Sequence, residues 1–147
     1  MKYLQFIIAA FALLFISACA VEPEPIHFGK DACSYCKMTI VDNQHASEFV
    51  TSKGKVYKFD AIECMLNQMK TFDEAPVQLL LVSDYSQPGE LCDATSSSFL
   101  ISSELPSPMG ANLTAFKVNE DAVAVQEAKG GEIFTWSQMK EKFEVKK

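Results

Sequence analysis

The segment Cys33-Ser34-Tyr35-Cys36-Lys37-Met38 places two thiols and a thioether within six residues. Sulfur ligands of both kinds at this density select Cu(I) over Zn(II) and over hard cations such as Mg and Ca. Thiolates supply affinity. A thioether is neutral and weak, which keeps a bound ion transferable. Thiolates must lose a proton to bind, so affinity should fall as pH drops. The same pair of thiols is also compatible with a local disulfide, a zinc half-site or redox exchange.

These residues need a compartment and a scaffold. Lys2, the apolar run Phe6 to Ile16 and Ser17-Ala18-Cys19 read as a charged n-region, an h-region and a small-residue cleavage site. The run is short for a membrane-spanning helix. Ile16-Ser17-Ala18-Cys19 resembles the lipobox of bacterial lipoproteins, which implies removal of residues 1–18 and diacylation of Cys19 at the mature N-terminus. That places the chain in the cell envelope, lipid-anchored to a bacterial membrane and facing the periplasm. Residues 19–28, with Pro23, Pro25, Glu22 and Glu24, read as a semi-extended tether, and 29–147 as one domain. The formal charge of −6 becomes −7 once Lys2 is removed. An acidic domain suits metal cations and protein partners and argues against nucleic acid, which demands basic patches.

Setting Cys19 aside leaves Cys33, Cys36, Cys64 and Cys92, an even number where disulfides are allowed. A domain of this size has no need of such staples. A thioredoxin-type site would put Cys-x-x-Cys after a strand and at a helix start. Here the β-branched run Met38-Thr39-Ile40-Val41 follows it instead. Cys64 lies near an apolar helix face and reads first as a buried small hydrophobe, with a ligand role as the alternative. Cys92 falls in a polar loop and has no assigned role. His45, between two strand-like runs, reads as a solvated turn residue or an imidazole ligand, and His27 sits in the tether.

The pattern predicts a mixed α/β layout. Strands are expected over 38–42, 46–51, 56–59, 77–82 and 98–102, with a turn at 52–55 and a loop over 87–97. Asp60 reads as an N-cap, with Glu63 completing a capping-box pattern, for a helix running to about Lys70. That helix would bury Ile62, Met65, Leu66 and Met69. A second helix is expected from Glu120 to Lys129, stopped by Gly130-Gly131 in an αL cap. A third should open at Ser137. Tyr57, Phe59, Phe134 and Trp136 read as core aromatics. Gly54-Lys55-Val56-Tyr57-Lys58-Phe59-Asp60 and Gly131-Glu132-Ile133-Phe134-Thr135-Trp136-Ser137 share one residue-class order, which reads as an imperfect repeat of a strand-then-helix unit.

Gly29-Lys30-Asp31-x-Cys33-x-x-Cys36-Lys37-Met38, Lys55-x-Tyr57-Lys58-Phe59-Asp60 with Cys64-Met65, and Pro108-Met109-Gly110 with Ala115-Phe116 together resemble the NosL family of nitrous oxide reductase accessory proteins. The resemblance covers roughly residues 29–140. It implies an α+β fold of two ββαβ modules, about 29–85 and 98–147, shared with organomercurial lyase. It also implies a copper-binding lipoprotein of the periplasm. In relatives with Cys-x-x-Asp-Gly-Met, the cysteine and the methionine five residues later look like copper ligands; those positions are Cys33 and Met38 here. Cys36 replaces the aspartate, and either adds a ligand or pairs with Cys33 when no metal is present. Met109 becomes the candidate distal ligand.

The expected function is therefore a membrane-anchored Cu(I) metallochaperone without turnover of its own. By resemblance its partner is nitrous oxide reductase or that enzyme's ABC-type maturation complex. Its metal residues are Cys33, Cys36, Met38 and Met109, with His45 and Cys64 as weaker candidates. The alternatives are a thiol-disulfide oxidoreductase using Cys33 and Cys36, and, by fold analogy alone, a lyase needing paired cysteines and a carboxylate such as Asp31 or Asp60. No Ser/His/Asp set, phosphate loop or HExxH segment is present.

Overall fold

A computed structural model describes residues 21–145; the expected signal segment 1–18 and Cys19 lie outside them. The elements are β1 (Ser47–Thr51), β2 (Val56–Phe59), α1 (Ile62–Met69), β3 (Val77–Ser83), β4 (Leu91–Asp93), a 3-10 turn (Ala94–Ser96), β5 (Ser98–Ile101), β6 (Leu113–Phe116), α2 (Asn119–Lys129), β7 (Glu132–Thr135) and α3 (Trp136–Lys142). They form two antiparallel sheets, ordered β2-β1-β3-β4 and β6-β5-β7. Among the described residues no helix is long and apolar enough to cross a membrane.

In each half two strands, a helix and a third strand follow in order, and the first strand takes the centre with its two partners on either side. The structural counterpart of β2 is thus β6, whereas the sequence echo matched β2 with β7. That echo reflects the shared chemistry of strand-to-helix junctions and not the internal correspondence of the fold.

β1 is buried along its whole length. Phe49 points into an aromatic cluster with Tyr57, Phe59 and Phe72, at centroid separations of 4.9–5.2 Å. Burial of side chains of this size contributes roughly 1.5–3 kcal/mol each. α1 buries Ile62, Met65 and Leu66 against the same core as expected. Phe59 and Trp136 are buried, and Tyr57 and Phe134 pack against them, Trp136 facing Phe99 at 5.7 Å. A smaller cluster of Leu100, Leu105, Phe116 and Ala122 lies under α2.

Several local expectations are corrected. Residues 38–42 form no strand, only a bridge between Ala32 and Thr39, because the chain reverses in a tight turn just before Met38. Asp60 does not cap α1. Its carboxylate accepts the Val41 N–H, and Ala61 holds the N-cap position with no side-chain bond. Thr135 caps α3 two residues earlier than expected, in a capping box with Gln138. The 87–97 loop contains β4, which buries Cys92 where its thiol meets the Val82 carbonyl and the Ser97 hydroxyl. β6 went unforeseen. Gly131 is required by close approach: at φ +102°, a Cβ there would sit 2.3 Å from the Ile101 carbonyl oxygen.

The expected tether is also corrected. Ile26 and Phe28 pack on the core, the Glu24 N–H donates to Glu48 Oε1 (3.1 Å), and Lys58 Nζ donates to the Pro25 carbonyl (2.8 Å). Residues 24–28 thus form a strap across the first sheet. Composition predicted solvation, but two charged side chains of β1 and β2 supply backbone partners for it.

Candidate metal centre

A short hairpin carries the sulfur-rich segment. The Cys33 N–H donates to the Met38 carbonyl and Lys37 N–H to the Cys33 carbonyl, closing a turn over Ser34–Lys37. Three contacts dock it on the β2–α1 junction. The Ser34 N–H donates to the Lys58 carbonyl (2.8 Å), Lys58 Nζ to the Asp31 carboxylate (2.9 Å), and the Val41 N–H to Asp60. This seats Cys33 against the first turn of α1, which carries Cys64.

The Sγ atoms of Cys33, Cys36 and Cys64 lie within 4.8 Å of one another, all three as free thiols. Cys33 and Cys64 are each 1% exposed, and Cys36 is half-buried at the rim. Sulfurs bound at about 2.3 Å to one ion stand about 4.0 Å apart in a trigonal plane. The cluster can therefore grip a soft ion with sub-ångström movement.

Its electrostatics are graded. Hydrogen bonding from the Cys64 thiol, assisted by the Asp60, Cys36 and Tyr35 N–H groups, lowers the Cys33 thiol to about 4 against the opposing effect of burial. The Cys36 N–H bond to Cys33 Sγ is 3.4 Å long. The donor role toward Cys33, with burial, pushes Cys64 up; burial, with the Cys33 charge, pushes Cys36 up. The site thus rests as one thiolate among two thiols, the state a Cys-rich ligand set needs to start binding.

The two methionines expected as ligands are exposed. Met38 is 55% exposed and Met109 43%. The loop bearing Met109 is anchored to α1, where buried Glu63 accepts from the Ser107 hydroxyl and the Ala111 N–H on either side of it. The same helical turn therefore carries Cys64 and ties down the Met109 loop. Glu63 was read as a capping residue; nothing in the sequence pointed to a partner 44 residues away. Cys64, weighed as a core residue, joins the thiol cluster. His45 lies outside it and is no solvated turn residue: it is buried, with Nδ1 2.9 Å from Asp42 and Nε2 3.3 Å from Thr114 Oγ1. Both nitrogens thus have protein partners. His27 remains exposed on the strap.

Lys37 has φ +66°, the position where relatives with Cys-x-x-Asp-Gly-Met carry glycine. A side chain in this region costs roughly 1–2 kcal/mol, less the roughly 0.5–1 kcal/mol that glycine's unfolded-state freedom takes back. Lys37→Gly should therefore raise stability by about 0.5–1 kcal/mol, or about 2–4 °C in Tm. Thermal unfolding of the metal-free protein checks this; an unchanged or lower Tm would refute the strain argument.

The NosL family model matches residues 25–143. No curated protein matches the chain. The crystal structure of the copper chaperone NosL from Shewanella denitrificans superposes with a TM-score of 0.69 at 22% identity, covering 80% of this chain and 95% of that one. This likeness establishes the shared fold. The family match runs through the strap, the sulfur hairpin, both sheets and the Met109 loop, and on that extent the chain belongs to the NosL family.

Proposed function

We propose that the protein is a Cu(I) metallochaperone of the cell envelope, anchored through Cys19 to a bacterial membrane and facing the periplasm. It takes up copper and passes it to a client copper protein without turnover of its own. The observation that carries this reading is the cluster of three free cysteines at one point. Cys33 is the first ligand, Cys36 and Cys64 complete a soft set, and exposed Met38 and Met109 are the weak donors a client displaces. The client, by resemblance to the NosL family, is nitrous oxide reductase or its ABC-type maturation complex.

The test is an anaerobic titration of the reduced protein with Cu(I) against a competing chelator. One tight site per chain is expected. Met38→Leu should weaken it by about 10–100-fold, the range seen when supporting metal contacts are lost. Binding no tighter than in a variant lacking all three clustered thiols would sink the copper reading.

The second reading, a thiol-disulfide oxidoreductase, draws on the same lowered Cys33. Its Cys-x-x-Cys sits in a hairpin turn, without the helix N-terminus that activates such pairs in thioredoxin-like sites. Oxidoreductase cycling would survive Met38→Leu; copper binding would weaken. For a lyase, both candidate carboxylates are occupied, Asp31 by Lys58 and the His27 N–H, and Asp60 by Val41.

A further inference from the structure

Three thiolates around one Cu(I) carry a net charge of −2. Here two buried sulfurs and a half-buried one sit beside two buried acidic side chains, Asp60 and Glu63, in a chain of net charge −6. Uncompensated negative charge in such a place is costly. An ion of higher charge that bonds all three sulfurs would leave the site neutral. The geometry selects further. Cys33 and Cys64 are buried and Cys36 is half-buried at the rim, and among the described residues no histidine or carboxylate joins these three sulfurs in the cluster. Three sulfurs complete the shell of a pyramidal centre bearing a lone pair, whereas the tetrahedral shell of Zn(II) needs a fourth ligand from elsewhere.

We propose that the Cys33–Cys36–Cys64 site is a receptor for trivalent arsenic. Arsenous acid, As(OH)3, reaches it as a small neutral molecule, unhindered by the acidic surface. Three As–S bonds form and three As–O bonds break. The Cys36 and Cys64 protons leave with two of the hydroxides as water, the third hydroxide takes its proton from solvent, and arsenic stays in its trivalent state, so no oxidant or reductant is needed. The adduct occupies the thiols a copper ion would use, making arsenite a blocker of loading. The inference stands on the thiol cluster and holds whichever ion is the natural cargo.

The experiment is an anaerobic titration of the reduced chain with sodium arsenite. It is followed by near-UV sulfur-to-arsenic absorption and by native mass spectrometry. One arsenic per chain is expected, in an adduct that has shed three waters. A variant carrying Cys19→Ala and Cys92→Ala should bind equally. Cys36→Ser alters the half-buried rim position and should cost about tenfold or more in affinity, since it deletes one intramolecular bond-forming step; its adduct should shed two waters. Near-UV circular dichroism confirms its fold. Absence of the band, dependence on Cys92, indifference to Cys36→Ser, or equal affinity in denaturant would each overturn the proposal. Cu(I) titration of the arsenic-loaded protein then separates the two readings. Blocked copper uptake shows the shared site; uptake at full affinity beside a bound arsenic refutes it.

Discussion

Cys33→Ser is expected to lower Cu(I) affinity by more than about 100-fold, beyond the roughly 10–100-fold lost with supporting contacts, because it removes the anchoring ligand itself. Serine keeps the size of the side chain and the N–H donors around it, so the loss reports the ligand and not a cavity. The wild-type pH dependence follows from the three thiols. Cys33, lowered to about 4, is already a thiolate at neutral pH and gives up no proton to copper. Cys36 and Cys64 are raised above the ordinary thiol range, so each must release one on joining the ion. Affinity should therefore rise by about tenfold per pH unit for each of these two that binds, and fall correspondingly as pH drops. Competition titrations from pH 6 to 8 read the slope directly. A slope near zero would mean that copper rests on Cys33 and the methionines alone; wild-type affinity in Cys33→Ser would remove Cys33 from the site.

The sequence made the sulfur hairpin visible because its ligands are contiguous, and residue type alone states their chemistry. The helix carrying Ile62, Met65 and Leu66 was legible for a similar reason: its periodicity is local. What escaped was long-range. Cys64 resembles any small buried residue on a helix face, and only the docking of the hairpin through Ser34, Lys58 and Asp60 reveals it as a neighbour of Cys33. Glu63 obeyed a capping pattern and went to Ser107 instead, where its buried carboxylate satisfies the Ser107 hydroxyl and the Ala111 N–H of the Met109 loop. His45 looked like a solvated turn residue because the side chains that bury it, Tyr85 and Thr114, lie far along the chain from it. β4 and β6 are three- and four-residue strands, too short to show an alternating pattern.

Glu48→Gln is expected to change the pH dependence of folding by about 3 kcal/mol. Glu48 stands mid-strand in β1, fully buried, opposite Lys58 in the sheet register. Its Oε1 accepts the strap's Glu24 N–H, and its Oε2 has no partner among the described residues. Burial pushes the carboxyl up from its ordinary 4.5 to about 7, with the Glu24 N–H and the Lys58 charge pulling the other way. Because the folded value is the higher one, the fold favours the protonated acid. Its stabilising share is complete below about pH 4.5 and is lost as pH rises through about 7. At about 1.36 kcal/mol per unit, the difference between the two limits is about 3 kcal/mol. Glutamine cannot titrate. Any fixed cost of its buried amide is the same at every pH, so the quantity to measure is the variant-minus-wild-type stability at pH 5 and at pH 8, by urea unfolding. The difference should move in the variant's favour as pH rises. Parallel curves would mean that Glu48 keeps an ordinary carboxyl. The consequence reaches the metal centre through Lys58, which bonds the strap at Pro25 and the sulfur hairpin at Asp31 while facing Glu48 across the sheet. Lys58 already pairs with Asp31 at 2.9 Å and Glu24 at 3.6 Å, so ionising Glu48 gives it a third anion to satisfy, and the clamp holding the hairpin on the sheet is shared with a side chain whose charge changes near neutral pH.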